Sequence, residues 1–186
     1  MTLHTKGGRA GAVILDLTAA YDNIWHTALL YKLSKCLPLR CIQTVELLLQ
    51  NSHFRVHMGN DVSSWQRQAN GLPKGSVLHL ALTLFNLYTS DLPVTRSRRF
   101  IYADDICCAL QVETFSEIEC TLTADLAKYN QLWRLKPSTS KTVTNVFHLQ
   151  NNRSCRELNV HMNGQRLKHD PYPVYLGVEE FSSRLR

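Results

Sequence analysis

The chain has 186 residues, 44% of them hydrophobic and 19% charged, and a formal net charge of +6 at pH 7. This is an ordinary globular mixture, long enough for one domain with a substantial core. No run approaches the ~20 apolar residues of a membrane span, and no cysteine belongs to a C-x-x-C pair, which argues against zinc. The basic balance fits either a solvated surface or contact with a polyanion such as nucleic acid. The beginning, "MTLHTKGGRAG", is polar and lacks the apolar stretch of a secretion signal. Cys36, Cys41, Cys107, Cys108, Cys120 and Cys155 therefore read as reduced, buried thiols of an intracellular protein, nuclear or cytoplasmic.

Residues 12–17, "AVILDL", predict a buried strand carrying one acid, Asp16. A helix is expected from about Trp25, with Trp25, Leu29, Leu30 and Leu33 at helical spacing and Pro38 ending it. A second helix covers 41–50. "FRVHMGNDVSSWQRQ" predicts two strands around a Gly59–Asn60 turn. Residues 70–76, "NGLPKGS", form a loop, and "VLHLALTLFNLYTSDL" an apolar helix. "RRFIYADDICCAL" reads as strand, two-residue turn and strand. An amphipathic helix follows, with Ile118, Leu122, Leu126, Tyr129 and Trp133 on or near one stripe. Strands are expected over 142–149 and 156–162, with a turn at Asn163–Gly164. This order of helices and strands suggests an α+β fold.

Asp104 and Asp105 sit between two apolar strands. Two adjacent aspartates are common in turns for local hydrogen-bonding reasons alone. Asp16 ends another apolar strand. If the strands are neighbours, three carboxylates converge at one edge and repel unless cations lie between them. Oxygen-only ligands suit Mg²⁺ or Mn²⁺, and a pair of such ions ~3.5–4 Å apart would clamp an in-line phosphoryl displacement.

These stretches carry a family resemblance. "AVILDLTAAYDNIWH", "NGLPKGSVL", "FIYADD", "WRLKPSTSKT" and "YPVYLGV" resemble, in order, five motifs of reverse transcriptases. The details are similar to the jockey-type branch of non-LTR retrotransposon polymerases. The resemblance implies a right-hand polymerase palm with part of the fingers, an antiparallel sheet covered by helices, over residues 1–178. A divergent tail occupies 179–186. It implies an RNA-directed DNA polymerase that adds dNTPs to a primer 3′-hydroxyl on an RNA template, using two Mg²⁺ or Mn²⁺ ions.

By the same resemblance, Asp16 and Asp104 match the metal-binding aspartates, and Asp105 supports them. Leu17 would offer a backbone carbonyl to a metal. Tyr21 matches an aromatic that excludes a 2′-hydroxyl, although it also reads as a core ring. Asp22 is expected to cap the following helix. Gly71, Lys74, Gly75 and Ser76 match the loop that supports the template and nascent base pair. Lys141 matches a lysine that neutralises departing pyrophosphate, although it also reads as a solvated strand-edge residue. Tyr175, Leu176 and Gly177 would belong to the hairpin gripping the primer, and Trp133 to the core.

The pattern departs from the family at Lys74, where glutamine is usual. The segment after Ser76 lacks the family's proline and runs about two residues longer, which would turn Phe85, Asn86 and Tyr88 by roughly 200°. The rest of the fingers, the thumb and an endonuclease are expected in a longer polyprotein of which this chain is a truncated part. A catalytically silent relic and a non-enzymatic RNA-binding module are the alternative readings.

Overall fold

A computed structural model describes residues 8–72, 80–129, 135–147 and 156–176 and the backbone of 178–179. Lys74, Gly75, Ser76, Trp133, Cys155 and Gly177 lie outside the described residues. So do the start of the helix expected from Val77, the end of the strand expected over 142–149, and residues 180–186. In chain order the elements are β1 (Arg9–Leu15), α1 (His26–Leu33), α2 (Leu39–Gln50), β2 (His53–Phe54), β3 (His57–Met58), β4 (Asp61–Val62), β5 (Gln66–Arg67), α3 (Leu80–Tyr88) and β6 (Arg98–Tyr102). They continue with β7 (Asp105–Val112), α4 (Phe115–Tyr129), β8 (Val143–Phe147), β9 (His161–Met162), β10 (Gln165–Arg166), β11 (Lys168–His169), β12 (Val174–Tyr175) and β13 (Val178–Glu179). Helices and a largely antiparallel sheet in this mixture make the α+β class.

The chain divides into two units. Met1–Thr18, Leu92–Leu132 and Lys136–Arg186 form the first, and Ala19–Asp91 with Trp133–Leu135 the second. The first is built on a five-stranded sheet in the order β11-β8-β1-β7-β6. β1 is central because its apolar "AGAVIL" run can be covered on both faces. It pairs antiparallel with β7, Leu15 opposite Ile106, and with β8, Ile14 opposite Val143. The sheet is antiparallel except at one edge, where β11 runs parallel to β8.

α4 lies on this sheet. Its buried residues Ile118, Leu122, Asp125, Leu126 and Tyr129 recur at helical spacing. Thr114 Oγ1 caps its start by accepting the Glu117 N–H at 3.2 Å. Helix and strand approach closely at Gly11, where a Cβ would come 2.8 Å from Ile118 Cγ2 and 2.9 Å from Leu158 Cδ1.

The strand expected over 156–162 is reduced to β9. Just before and at the start of β9, backbone donors go to α4 instead. The Asn159 N–H bonds Glu119 Oε1 at 3.1 Å and the His161 N–H bonds Thr123 Oγ1 at 3.2 Å. Leu158 and Val160 are still buried. The Asn163–Gly164 turn joins β9 to β10 as expected, both residues at positive φ.

In the second unit α1 packs against α2 and α3. α1 ends at Leu33, well before Pro38, which is instead the N-cap of α2. A proline's fixed φ suits a helix start as well as a stop. Lys32 Nζ donates to the Tyr88 carbonyl and to Asp91 Oδ1, the latter at 2.5 Å. Phe85 and Tyr88 are buried and Asn86 is exposed. The expected hairpin forms as two short paired segments, β2 with β5 and β3 with β4. Cys107 and Cys108 are buried thiols, but Cys36, Cys41 and Cys120 are exposed, which corrects their expected burial.

Candidate active site

β6 and β7 pair with Tyr102 opposite Asp105, leaving Ala103 and Asp104 as a two-residue tip. Ala103 takes φ +53, the left-handed conformation that lets so short a turn match the strand twist. Asp104 is thus the exposed end of the hairpin and Asp105 the first residue of β7.

Asp16 follows β1 directly. Since Leu15 faces Ile106, one further step brings Asp16 level with Asp105. The alternation of side chains puts both on the same face of the sheet. The electrostatics agree with this placement. Asp105 is held above the ordinary carboxylate value, first by partial burial and then by the negative charges of Asp104 and Asp16. The adjacency of the two strands, conditional in the sequence, is a feature of the fold.

Asp16 is fixed through its backbone. Its N–H donates to Thr142 Oγ1 at 3.3 Å, and its carbonyl accepts the Ser138 N–H at 2.8 Å. The Thr18 N–H bonds the Lys136 carbonyl at 3.0 Å, so Leu17 bridges to Pro137. These bonds turn the polar groups of Asp16 and Thr18 toward residues 136–138. Strand alternation then turns the Leu17 carbonyl the other way, to the side on which β7 lies. Lys141 rides the Ser138–Thr142 turn, which is closed by the Thr142 N–H on the Ser138 carbonyl at 2.9 Å. The side chain of Lys141 is exposed.

Among the described residues no three His, Cys, Asp or Glu side chains stand together as a ready metal site. The three aspartates also lack any ion-pair partner among the described residues. An oxygen-only set under mutual repulsion fits a hard divalent cation.

Tyr21 and Gly71 form a separate cluster in the second unit. The Tyr21 ring lies 4.7 Å from that of Phe85, tilted by 33°. Its carbonyl accepts the Leu72 N–H at 2.9 Å, the Ile24 carbonyl accepts the Gly71 N–H at 2.8 Å, and His26 Nε2 donates to the Gly71 carbonyl at 2.6 Å. Gly71 has φ +87, and a Cβ there would meet Asp22 Cα at 2.9 Å. The chain's own packing therefore demands glycine at 71. Asp22 does not cap α1, whose N-cap is Trp25.

The match to known proteins decides the family. A model of the reverse transcriptase (RNA-dependent DNA polymerase) family matches residues 1–179. The chain belongs to the reverse transcriptase family. It is 28% identical, over 91% of its length, to the RNA-directed DNA polymerase from mobile element jockey of Drosophila melanogaster, and covers 19% of that protein. It is 29% identical, over 75% of its length, to the probable RNA-directed DNA polymerase from transposon BS of the same species, covering 16% of it. The jockey polymerase of Drosophila funebris is 28% identical over 91% of the chain. The reverse transcriptase chain thus spans under a fifth of the curated relatives it matches. No described helix is long and apolar enough to cross a membrane.

Elsewhere in this reverse transcriptase domain, Tyr175 and Leu176 sit on the small β12–β13 ribbon and not on the five-stranded sheet. Leu176 has φ +54 where that ribbon turns. Sequence reasoning missed Thr142 and Ser138, which fix Asp16 through hydrogen bonds that no local pattern announces.

Proposed function

We propose that the chain is the catalytic part of an RNA-directed DNA polymerase, with a right-hand palm and part of the fingers over residues 1–178 and a divergent tail over 179–186. The observation that carries this reading is the alignment of Asp16 with Asp105 across neighbouring strands, with Asp104 at the adjoining tip. Asp16, Asp104 and the Leu17 carbonyl would hold two divalent ions, Mg²⁺ or Mn²⁺, with Asp105 in support. When bound, the ions would activate the primer 3′-hydroxyl and stabilise the leaving pyrophosphate.

The chain's own groups have distinct tasks in this reading. Lys141 offers a mobile positive charge to pyrophosphate from the turn that is bonded to Asp16. Tyr21, backed by Phe85, presents a flat ring that excludes a 2′-hydroxyl and so selects dNTPs. Gly71, Lys74, Gly75 and Ser76 support the template and the nascent base pair. Tyr175, Leu176 and Gly177 grip the primer. The partners are an RNA template, a DNA primer and, in a longer polyprotein, the remaining fingers, the thumb and an endonuclease.

The test is primer extension on an RNA template with dNTPs and Mg²⁺. Extension is expected with the unchanged chain and lost by at least a hundredfold in Asp104→Asn. Equal extension by both proteins would refute the assignment. A second reading, a palm that keeps the fold without catalysis, is favoured by Lys74, which stands where the family has glutamine. A folded chain that neither extends a primer nor binds Mn²⁺ would establish it.

A further inference from the structure

The ribbon formed by residues 53–67 is exposed along its whole length. A two-stranded ribbon with nothing packed on it is marginal in water. This one also displays Phe54, Val56, Met58 and Trp65, at 47%, 53%, 77% and 63% exposure. Its register sorts the side chains. His53 faces Arg67, Phe54 faces Gln66, His57 faces Val62 and Met58 faces Asp61. Val56 and Ser63 are opposite one another, since the Ser63 N–H donates to the Val56 carbonyl and the Val56 N–H to Ser63 Oγ, both at 2.9 Å.

From Phe54 to Val56 is two steps, while from Gln66 back to Ser63 is three. One strand therefore carries a bulge at Ser64–Trp65. Alternation puts Phe54, Val56, Met58 and Asp61 on one face, and His53, Arg55, His57 and Arg67 on the other. The bulge delivers Trp65 to the second face, where the Arg55 guanidinium lies 4.9 Å from its ring. Every basic residue of the ribbon is thus on the face with the tryptophan, and its one acid is on the opposite face.

We infer that this face binds a single strand of nucleic acid, with Trp65 as a stacking platform and Arg55 and Arg67 on phosphates. The charge complementarity is one-sided, and a flat exposed indole beside arginines suits an unpaired base better than a paired one. The four extended steps from His53 to His57 span ~14 Å. That is roughly four stacked nucleotides at 3.4 Å each. The identity of the strand as RNA template rests on the polymerase reading, while the binding itself requires neither metal nor dNTP.

The experiment is fluorescence anisotropy of a labelled 20-nucleotide single-stranded RNA with the full chain, without divalent metal or dNTP, across a salt series. Trp65→Ala is expected to weaken binding roughly 5- to 150-fold, and Trp65→Phe to retain most of it. The double change Arg55→Ala, Arg67→Ala should lower the log–log salt slope by about 1.4. Met58→Ser, on the opposite face, should bind as the unchanged chain does. Unaltered affinity in Trp65→Ala overturns the inference, and so does an equal loss in Met58→Ser, which would show that the effect is not confined to the tryptophan face. Failed primer extension with this binding pattern intact would strike only the polymerase reading.

Discussion

Asp125 shows how a single residue can be structural against its chemical type. It lies on the buried stripe of α4 at 2% exposure. Burial pushes its carboxyl up, but hydrogen bonds outweigh that effect and hold it below its ordinary value. Ser97 supplies two of them, from N–H and Oγ, both at 2.8 Å, and Lys128 and the Arg96 N–H supply the others at 3.0 and 3.2 Å. The carboxylate thereby fixes the chain entering β6, the first strand of the acidic hairpin. A depressed carboxyl contributes stability that is complete above the unfolded value of 3.8 and is lost as pH falls through the lower folded value. Unfolding by urea should therefore become easier below pH ~4. Asp125→Asn should cost about 1–3 kcal/mol at pH 7 and flatten that acid limb. An acid limb identical in the two proteins would show that other carboxylates govern it. The signal was present in the sequence, because Ile118, Leu122, Asp125 and Tyr129 share one spacing. A lone acid in an apolar stripe is a demand for donors, even though the sequence does not say where they are.

At the level of elements, β1 and β7 were legible as nearly unbroken apolar runs and α4 by its helical period, whereas the apolar run of β6 did not predict that Phe100, Ile101 and Tyr102 are exposed. The parallel β11–β8 pair was not legible. Two-residue strands carry no period, and their pairing is set by neighbours distant in sequence. The segment before β9 read as a strand because Leu158 and Val160 alternate with exposed residues, while the Asn159 N–H bonds Glu119 of α4. The candidate site was readable as residue types, and the register added the alignment of Asp16 with Asp105. In the proposed cation site that alignment would set function against stability. Like charges facing each other across strands destabilise by about 0.2–1 kcal/mol, and no ion-pair partner offsets them among the described residues. Asp105→Asn should accordingly make the metal-free chain slightly more stable, by about that amount. The same variant should lose much of the increase in melting temperature that millimolar Mn²⁺ gives the unchanged chain, since ligand binding stabilises only a state that binds. Calorimetry with and without Mn²⁺ reads both effects. An equal Mn²⁺ response in the two proteins would remove Asp105 from the cation site.

Across the whole molecule, local stability should follow sheet position and not chain position. β1 lies near the start of the chain, where ends commonly fray. Yet it is the middle strand of the first unit, paired on one side to β7 and on the other to β8, both from the second half of the chain. Every β1 amide points at one of those partners. Val13 and Leu15 are buried at 0% and 1% exposure, and α4 covers the strand at Gly11. Opening β1 therefore means separating both neighbours at once, which is the unfolding of the sheet itself. The 53–67 ribbon has the opposite character. Its hydrogen bonds are exposed to water, and each of its residues is exposed. Amide exchange reports such differences as free energies of opening, from near zero for frayed segments up to the global value for core strands. Exchange measured by mass spectrometry at neutral pH should find peptides covering Arg9–Leu15 among the slowest of the chain and those covering 53–67 among the fastest. Single-stranded RNA should then slow the ribbon and leave β1 unchanged. If β1 exchanges as fast as the ribbon, the five-stranded sheet is not the cooperative unit that holds Asp16 level with Asp105.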